Sequence, residues 1–392
     1  MIHPSARIAR ATRRGWLALT VAAVLPLALA GCVEDEVRAL DAQEETGAEA
    51  DTVTAEPGIA VEDTLSLTAG EAAAQTLAQL AADSVAVAAA AITDSTSSAA
   101  EAPVPTVRYN SGEDPAFAAR YGWPVQGPAM LPGSILPNNR IVCYYGNPNS
   151  TRMGALGEFP KDDMLSRLRN QIAEWETADP ATPVTPCLHM VSVVAQAEAG
   201  TSGHYRSIMR DETVQMVYDW AKEIDGIFIV DIQVGTDDLR NILPRFEWIL
   251  KKPDVHLAVD PEFYMRDGVQ PGRRIGRMDA ADINYASEYL ANLVREHDLP
   301  PKVFIIHRFT QGMVTSSADI RLRPEVQVVM HMDGWGAPWL KRDSYRDFIV
   351  REPVQYTGFK LFYHNDTKDG APLMMPADML KLEPKPVYIQ YQ

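Results

Sequence analysis

Carboxylates, imidazoles, amides and aromatic rings recur in this 392-residue chain at one kind of place, the end of a short apolar run. Such runs finish as Tyr144-Tyr145-Gly146-Asn147, Asp231-Ile232-Gln233, Asp260-Pro261-Glu262, His307-Arg308 and His331-Met332-Asp333-Gly334-Trp335. Two more finish as Lys360-Leu361-Phe362-Tyr363-His364 and Tyr388-Ile389-Gln390-Tyr391. Period-two alternation puts Asp231 with Gln233, and Asp260 with Glu262, on common strand faces. A carboxyl pair whose two pKa values are pushed apart can act as acid and as base or nucleophile in glycoside cleavage. The faces of Tyr144, Tyr145, Phe263, Trp335, Tyr363 and Tyr391 suit stacking against sugar rings. The expected catalytic set is Glu262, Asp260, Asp231 and Asp333. The expected substrate-binding set is Tyr144, Tyr145, Asn147, Gln233, His307, Arg308, Trp335, Lys360, Tyr363 and Gln390.

Positioning these groups falls to eight apolar runs: 141–145, 187–195, 226–234, 256–260, 302–308, 326–332, 358–363 and 387–391. Helical patterns separate the first five. Residues 162–176 carry Met164, Leu165, Leu168 and Ile172 at helical spacing, and 211–223, 238–250 and 279–296 follow the same rule, each opened by an acid. Runs apolar on both faces, alternating with helices, predict parallel strands, and eight of them match a closed (β/α)8 barrel. An open doubly wound sheet is the alternative. Residues 345–350 and 377–382 are short for barrel helices, and either 115–121 or 127–138 is expected to plug the barrel bottom.

Charges at the end of a run of Ile and Val must be paired or hydrated. A purely structural reading has Arg308 bridging Asp231 and Asp260, or Lys360 neutralising Asp333. A metal reading uses Asp260, Glu262, His307, His331 and Asp333 as donors, although no His-x-His or His-Glu-x-x-His spacing supports it. No metal or other cofactor is therefore expected. His189 and His256 sit near run beginnings and are expected to be satisfied core histidines. No glycine-rich phosphate loop follows a strand, and no Gly-x-Ser-x-Gly elbow occurs. Long Gly-, Ser-, Thr- and Arg-rich loops at 147–161, 197–210, 266–278 and 311–323 suggest a cleft wall, with Arg273, Arg274 and Arg277 available to an anionic group.

Three resemblances bear on this reading. Asp260-Pro261-Glu262 resembles the end of the Asp-x-Asp-x-Glu motif of chitinase-like glycoside hydrolase barrels, and Met330-His331-Met332-Asp333 is similar to their Met-x-Tyr-Asp segment. Ala258 and Val259 stand where that motif's earlier acids would be, and Met332 replaces Tyr. The resemblance implies Glu262 as acid/base, with Asp260 and Asp333 positioning it or the substrate. At the other end, four arginines and an apolar run close on Leu29-Ala30-Gly31-Cys32, which resembles the lipobox of bacterial lipoprotein precursors. This implies removal of residues 1–31, lipidation of Cys32 and attachment to a membrane outside the cytoplasm; an ordinary signal peptide or membrane anchor is the alternative. Thr12-Arg13-Arg14-Gly15-Trp16-Leu17 is similar to a twin-arginine export signal, and also to ordinary export chemistry.

The net charge of −16 is unevenly spread. Residues 33–105 hold fifteen acids against Arg38 alone and no aromatic residue, the composition of a disordered tether, so 32–105 forms the linker and 106–392 the barrel domain. The latter carries 37 acids and 31 bases with no basic run, which argues against a nucleic-acid partner. A carbohydrate partner fits better, as the substrate of a lipid-anchored glycoside hydrolase; a non-catalytic surface lipoprotein binding a glycan or a protein, or a metal-dependent hydrolase, is the alternative. Cys143 and Cys187 fall on neighbouring strands, where two buried thiols are favoured over one disulfide, and no cysteine spacing suits zinc.

Overall fold

The computed structural model describes residues 111–392. The signal segment, Cys32 and the whole tether expected before them lie outside the described residues. Eleven strands follow in chain order: β1 (Arg140–Gly146), β2 (Val184–Ala195), β3 (Arg206–Ile208), β4 (Ile227–Ile232), β5 (Val255–Val259), β6 (Met278–Asp279), β7 (Lys302–Arg308), β8 (Val314–Thr315), β9 (Val326–Met332), β10 (Tyr356–Leu361) and β11 (Tyr388–Tyr391). Eight of them, β1, β2, β4, β5, β7, β9, β10 and β11, pair in parallel in that order, and β11 returns to β1. The protein is thus a closed TIM-like (β/α)8 barrel, and the open-sheet alternative falls. β3 pairs antiparallel with β2, and β6 with β8 forms a separate two-stranded ribbon joining the loops after β5 and β7.

Helices cover the barrel where the apolar spacing requires them. Lys161–Ala178 buries Met164, Leu165, Leu168, Ile172 and Trp175, one stripe of a 3.6-residue period. Ala280–His297 starts at Asp279, whose side chain accepts from the Ala281 amide, and ends at Asp298 in the left-handed region. The helix expected over 238–250 is broken into short turns. Pro244 lacks the N–H that an unbroken helix needs there.

Two apolar layers hold the fold. The outer one lies between strands and helices, with Val142, Leu188, Phe228, Leu257, Phe304 and Val328 among its members. The inner one fills the lower barrel with Ile141, Ile227, Ile229, Ala258, Val303, Ile305 and Val329. Leu136 corks its bottom. The Gln327 side chain accepts from the Ile135 amide at 2.9 Å and donates to the Leu136 carbonyl at 2.6 Å, so the plug comes from the 127–138 loop. Residues 115–120 instead form a helix by the outer wall, beside Trp123, whose indole donates to the Val350 carbonyl.

Cys143 and Cys187 are register partners across β1 and β2 and form a disulfide within the inner layer. The favoured expectation of two free thiols is corrected. Both side chains point inward at the same height, which brings their sulfurs into bonding range.

Candidate functional site

Above the apolar inner layer the barrel interior turns polar. Tyr145, His189, Asp231, Asp260, His307, His331, Lys360 and Gln390 come from eight different strands or strand ends, and all are buried. They meet because each stands an even number of residues beyond an inward apolar residue of its own strand, as His307 stands beyond Ile305. β7 and β9 pair in register, so His307 and His331 are directly opposite, with ring centroids 5.2 Å apart. Gly358 makes room on the next strand: a Cβ there would stand 2.5 Å from His331 Nδ1.

The four expected acids divide into two pairs of opposite character. Asp231 lies between His189 Nε2 at 3.0 Å and His307 Nε2 at 3.4 Å. Asp333 accepts from His307 Nδ1 at 2.6 Å and pairs with Lys360 Nζ at 2.9 Å. Burial works against ionising either, but the His307 and His189 rings at Asp231, and Lys360 and His307 at Asp333, outweigh it and hold both well below the usual carboxylate range. His307, between two carboxylates, is raised to about 10 although burial opposes its charge. Burial lowers His189 to about 4 and His331 well below its ordinary value, so both rings are neutral near neutral pH.

Asp260 and Glu262 have no such cations in contact. Asp260 caps the short turn Pro261–Phe263, its Oδ1 accepting from the Glu262 amide at 3.0 Å, and its Oδ2 is 3.5 Å from the Gln233 amide nitrogen. Burial raises it to about 7, with Asp231 and Asp333 adding to the effect against His307 and Lys360. Glu262, partly exposed at the rim, is raised well above the carboxylate range by desolvation and by the nearby charges of Asp260 and Asp333. One pair titrates far below the other, the separation that acid/base division needs. Gly276 allows the following loop to lie against this turn, its amide donating to the Glu262 carbonyl where a Cβ would come within 2.5 Å of that oxygen.

Other expected residues fall elsewhere. Tyr144 and Tyr363 point out of the barrel, bonded to each other at 3.1 Å, with Tyr363 donating to Gln171 at 3.0 Å. Tyr144 takes the face opposite to Tyr145, so neither it nor Tyr363 is a sugar platform in the mouth. Tyr391 is likewise outside, accepting from the Trp175 indole. Asn147 braces its own loop, donating to the Val191 carbonyl and accepting from the Asn149 amide. Arg308 follows an inward His307 and must face outward. It bonds Glu352 and the Thr310 and Gln311 carbonyls, and bridges neither Asp231 nor Asp260.

Several expected residues do reach the mouth. Tyr145 packs on His189, Lys360 Nζ lies 3.8 Å from the Tyr145 ring centroid, and Gln233 accepts from the Ala195 amide. Gln390 contacts His189 and Tyr388. Trp335 is 51% exposed in the loop after β9, and Trp339 near it is 64% exposed. That loop is pinned by the buried Lys341–Asp366 pair, which also binds the Gly334 carbonyl and the Gly336 amide.

His189 is the principal omission from the expected set. β2 begins at Val184, so His189 is at mid-strand, inside the barrel, with Nδ1 against the Tyr388 hydroxyl at 2.7 Å. His256 is a buried core histidine whose Nδ1 accepts from the Val303 amide at the barrel bottom, but its Nε2 has no hydrogen-bond partner among the described residues, so it is only half satisfied. His331 is fully buried and neither ring nitrogen has a hydrogen-bond partner among the described residues. Such unpaired polar groups cost about 1–3 kcal/mol each unless a water or another ligand meets them. Arg274 of the 266–278 loop is engaged with Asp267.

Fold and mouth together define a TIM-like barrel with a charged interior at the C-terminal ends of its strands. The sequence matches no known protein family and no curated protein.

Proposed function

We propose that this protein is a glycan-active hydrolase working by carboxyl acid/base chemistry at the C-terminal rim of the barrel. The observation that carries this is the Asp260–Glu262 pair at the edge of the pocket, where burial pushes Glu262 well above the carboxylate range and Asp260 up to about 7, beside Asp231 and Asp333 held far below it. Glu262, at the rim, donates its proton to the leaving glycosidic oxygen as the bond to the anomeric carbon breaks. Asp333, ionised and close enough to raise Glu262, stabilises the positive charge that develops on the sugar. Water adds to that carbon and its proton returns to Glu262. Asp260 holds the turn that aims Glu262, and Asp231 orients His307, which orients Asp333. Exposed Trp335 and Trp339 offer apolar faces to the sugar rings.

Placement outside the cytoplasm, through a lipidated Cys32, belongs to the same proposal. The buried Cys143–Cys187 disulfide supports it, because such bonds persist in oxidising compartments. The test is release of new reducing ends from a panel of cell-wall and exogenous polysaccharides. The wild-type chain should release them and Glu262→Gln should lose at least about a hundredfold in rate, the low end for a proton-transfer group. Equal rates in the two proteins, or no release from any polysaccharide, would overturn the reading.

A further inference from the structure

Beneath the carboxyl pair, three donor atoms converge in ion-pair contact. His189 Nε2 and His307 Nε2 stand 3.0 and 3.4 Å from Asp231 Oδ2, and one donor atom from each residue lies within 4.8 Å of the others. Close as they are, none of the three has a well-directed hydrogen bond, and all three side chains are fully buried. One imidazole nitrogen from each histidine and one carboxylate oxygen are thus grouped as candidate ligands. A tetrahedral ion with bonds of about 2.0–2.2 Å spaces its donors roughly 3.3–3.6 Å apart, so this triangle needs little adjustment to hold one.

The surroundings are those of metal-bound imidazoles, which direct their second nitrogen to a carboxylate or another acceptor. His307 Nδ1 is 2.6 Å from Asp333, itself held by Lys360. His189 Nδ1 is 2.7 Å from the Tyr388 hydroxyl and 3.0 Å from the Gln390 amide, whose Oε1 is buried without a partner. Turning that amide over lets Oε1 accept from Tyr388, while the Tyr388 oxygen accepts from His189 Nδ1. His331 supplies an independent indication. Both its nitrogens are unpartnered among the described residues, and one lies within 4.8 Å of donor atoms of His307 and Asp333.

We propose that His189 Nε2, Asp231 Oδ2 and His307 Nε2 bind one divalent transition-metal ion inside the barrel mouth, with His331 bonding a water on its open side. Two imidazoles and one carboxylate favour zinc or a neighbouring first-row ion over calcium or magnesium. The site goes beyond the carboxyl-pair reading and does not depend on it.

The test titrates the purified, chelator-treated full chain with Zn(II) and with Co(II), reading metal content after dialysis and the visible absorption of the Co(II) form. One ion per chain with the intense bands of a low-symmetry nitrogen/oxygen site is expected. Glu262→Gln should bind as the wild type does, whereas His189→Ala and His307→Ala should bind at least about tenfold more weakly, each checked for folding by circular dichroism. A wild-type chain that retains no stoichiometric ion, or folded His189→Ala binding unchanged, overturns the proposal. The same preparations assayed on polysaccharides separate the two ideas: metal binding without hydrolysis refutes the carboxyl-pair reading alone, and hydrolysis by metal-free protein without stoichiometric binding refutes the metal site alone.

Discussion

Asp260→Asn should stabilise the protein in alkaline solution and fail to do so in acid. The native state holds the Asp260 proton up to about 7, against 3.8 for the unperturbed group. A folded state that binds a proton more tightly than the unfolded chain has that stabilisation in full below the unfolded pKa and loses it as pH rises through the folded one. The window therefore runs from about 4 to about 7. The interval of 3.8 to about 7, at about 1.4 kcal/mol per unit, amounts to about 4 kcal/mol of lost stability above it. Asparagine avoids this loss and keeps an oxygen for the Glu262 amide. It forfeits the long 3.5 Å contact with Gln233, worth at most about 1 kcal/mol. The net expectation is about 3 kcal/mol of added stability near pH 9, or about 5 °C in Tm, turning to a small loss below pH 4. Urea unfolding followed by tryptophan fluorescence, at pH steps from acid to alkaline, measures the difference. A variant less stable than wild type at every pH, or a difference that does not vary with pH, would refute the reasoning, since Asp260 would then be ionised in the native state throughout.

Gly358→Ala places a methyl 2.5 Å from His331 Nδ1 and 2.9 Å from the Tyr388 ring, and should cost about 1–3 kcal/mol by overpacking; an unchanged thermal midpoint would contradict this. Replacing both Cys143 and Cys187 by Ser opens a loop of sequence separation 44 and should remove about 4 kcal/mol in denaturant titrations, with reductant having no further effect on the variant. Trp335→Ala and Trp339→Ala, at 51% and 64% exposed positions, should leave stability within about 0.5 kcal/mol. Each should weaken retention in affinity electrophoresis on the hydrolysed polysaccharide about fivefold, and unaltered migration would remove that residue from the sugar platform.

The barrel was legible because its strands are continuous apolar runs: 302–308 and 326–332 are observed with the bounds that the runs predict. The same continuity concealed which residues face inward. A strand apolar on both faces carries no alternation, so nothing local distinguishes His307 inside from Arg308 outside, or Tyr145 inside from Tyr144 outside. His189 was hidden differently. Val184, Thr185 and Pro186 lengthen β2 ahead of the apolar run, moving the histidine from an apparent strand start to the middle of the barrel. Alternation predicts a common strand face for Asp260 and Glu262, but β5 ends at Val259 and the Asp-Pro-Glu spacing instead opens a short turn that Asp260 caps. The ionisation contrast between them and Asp231 and Asp333 arises from His307, His189 and Lys360 on other strands, which no short motif encodes.

The Leu136 cork has a consequence for the order of assembly. Its anchor, Gln327, lies 192 residues from Ile135 along the chain, in the sixth of the eight barrel strands. A nascent chain that has made β1, β2, β4, β5 and β7 therefore holds a plug without its Gln327 anchor, and Ile141, Ile227 and Val303 are left without their full cover from below. Contacts that close across such separations form late and slowly. Truncations ending before residue 327 should accordingly behave as sticky, incompletely collapsed chains, rather than as a half-barrel waiting for its partner.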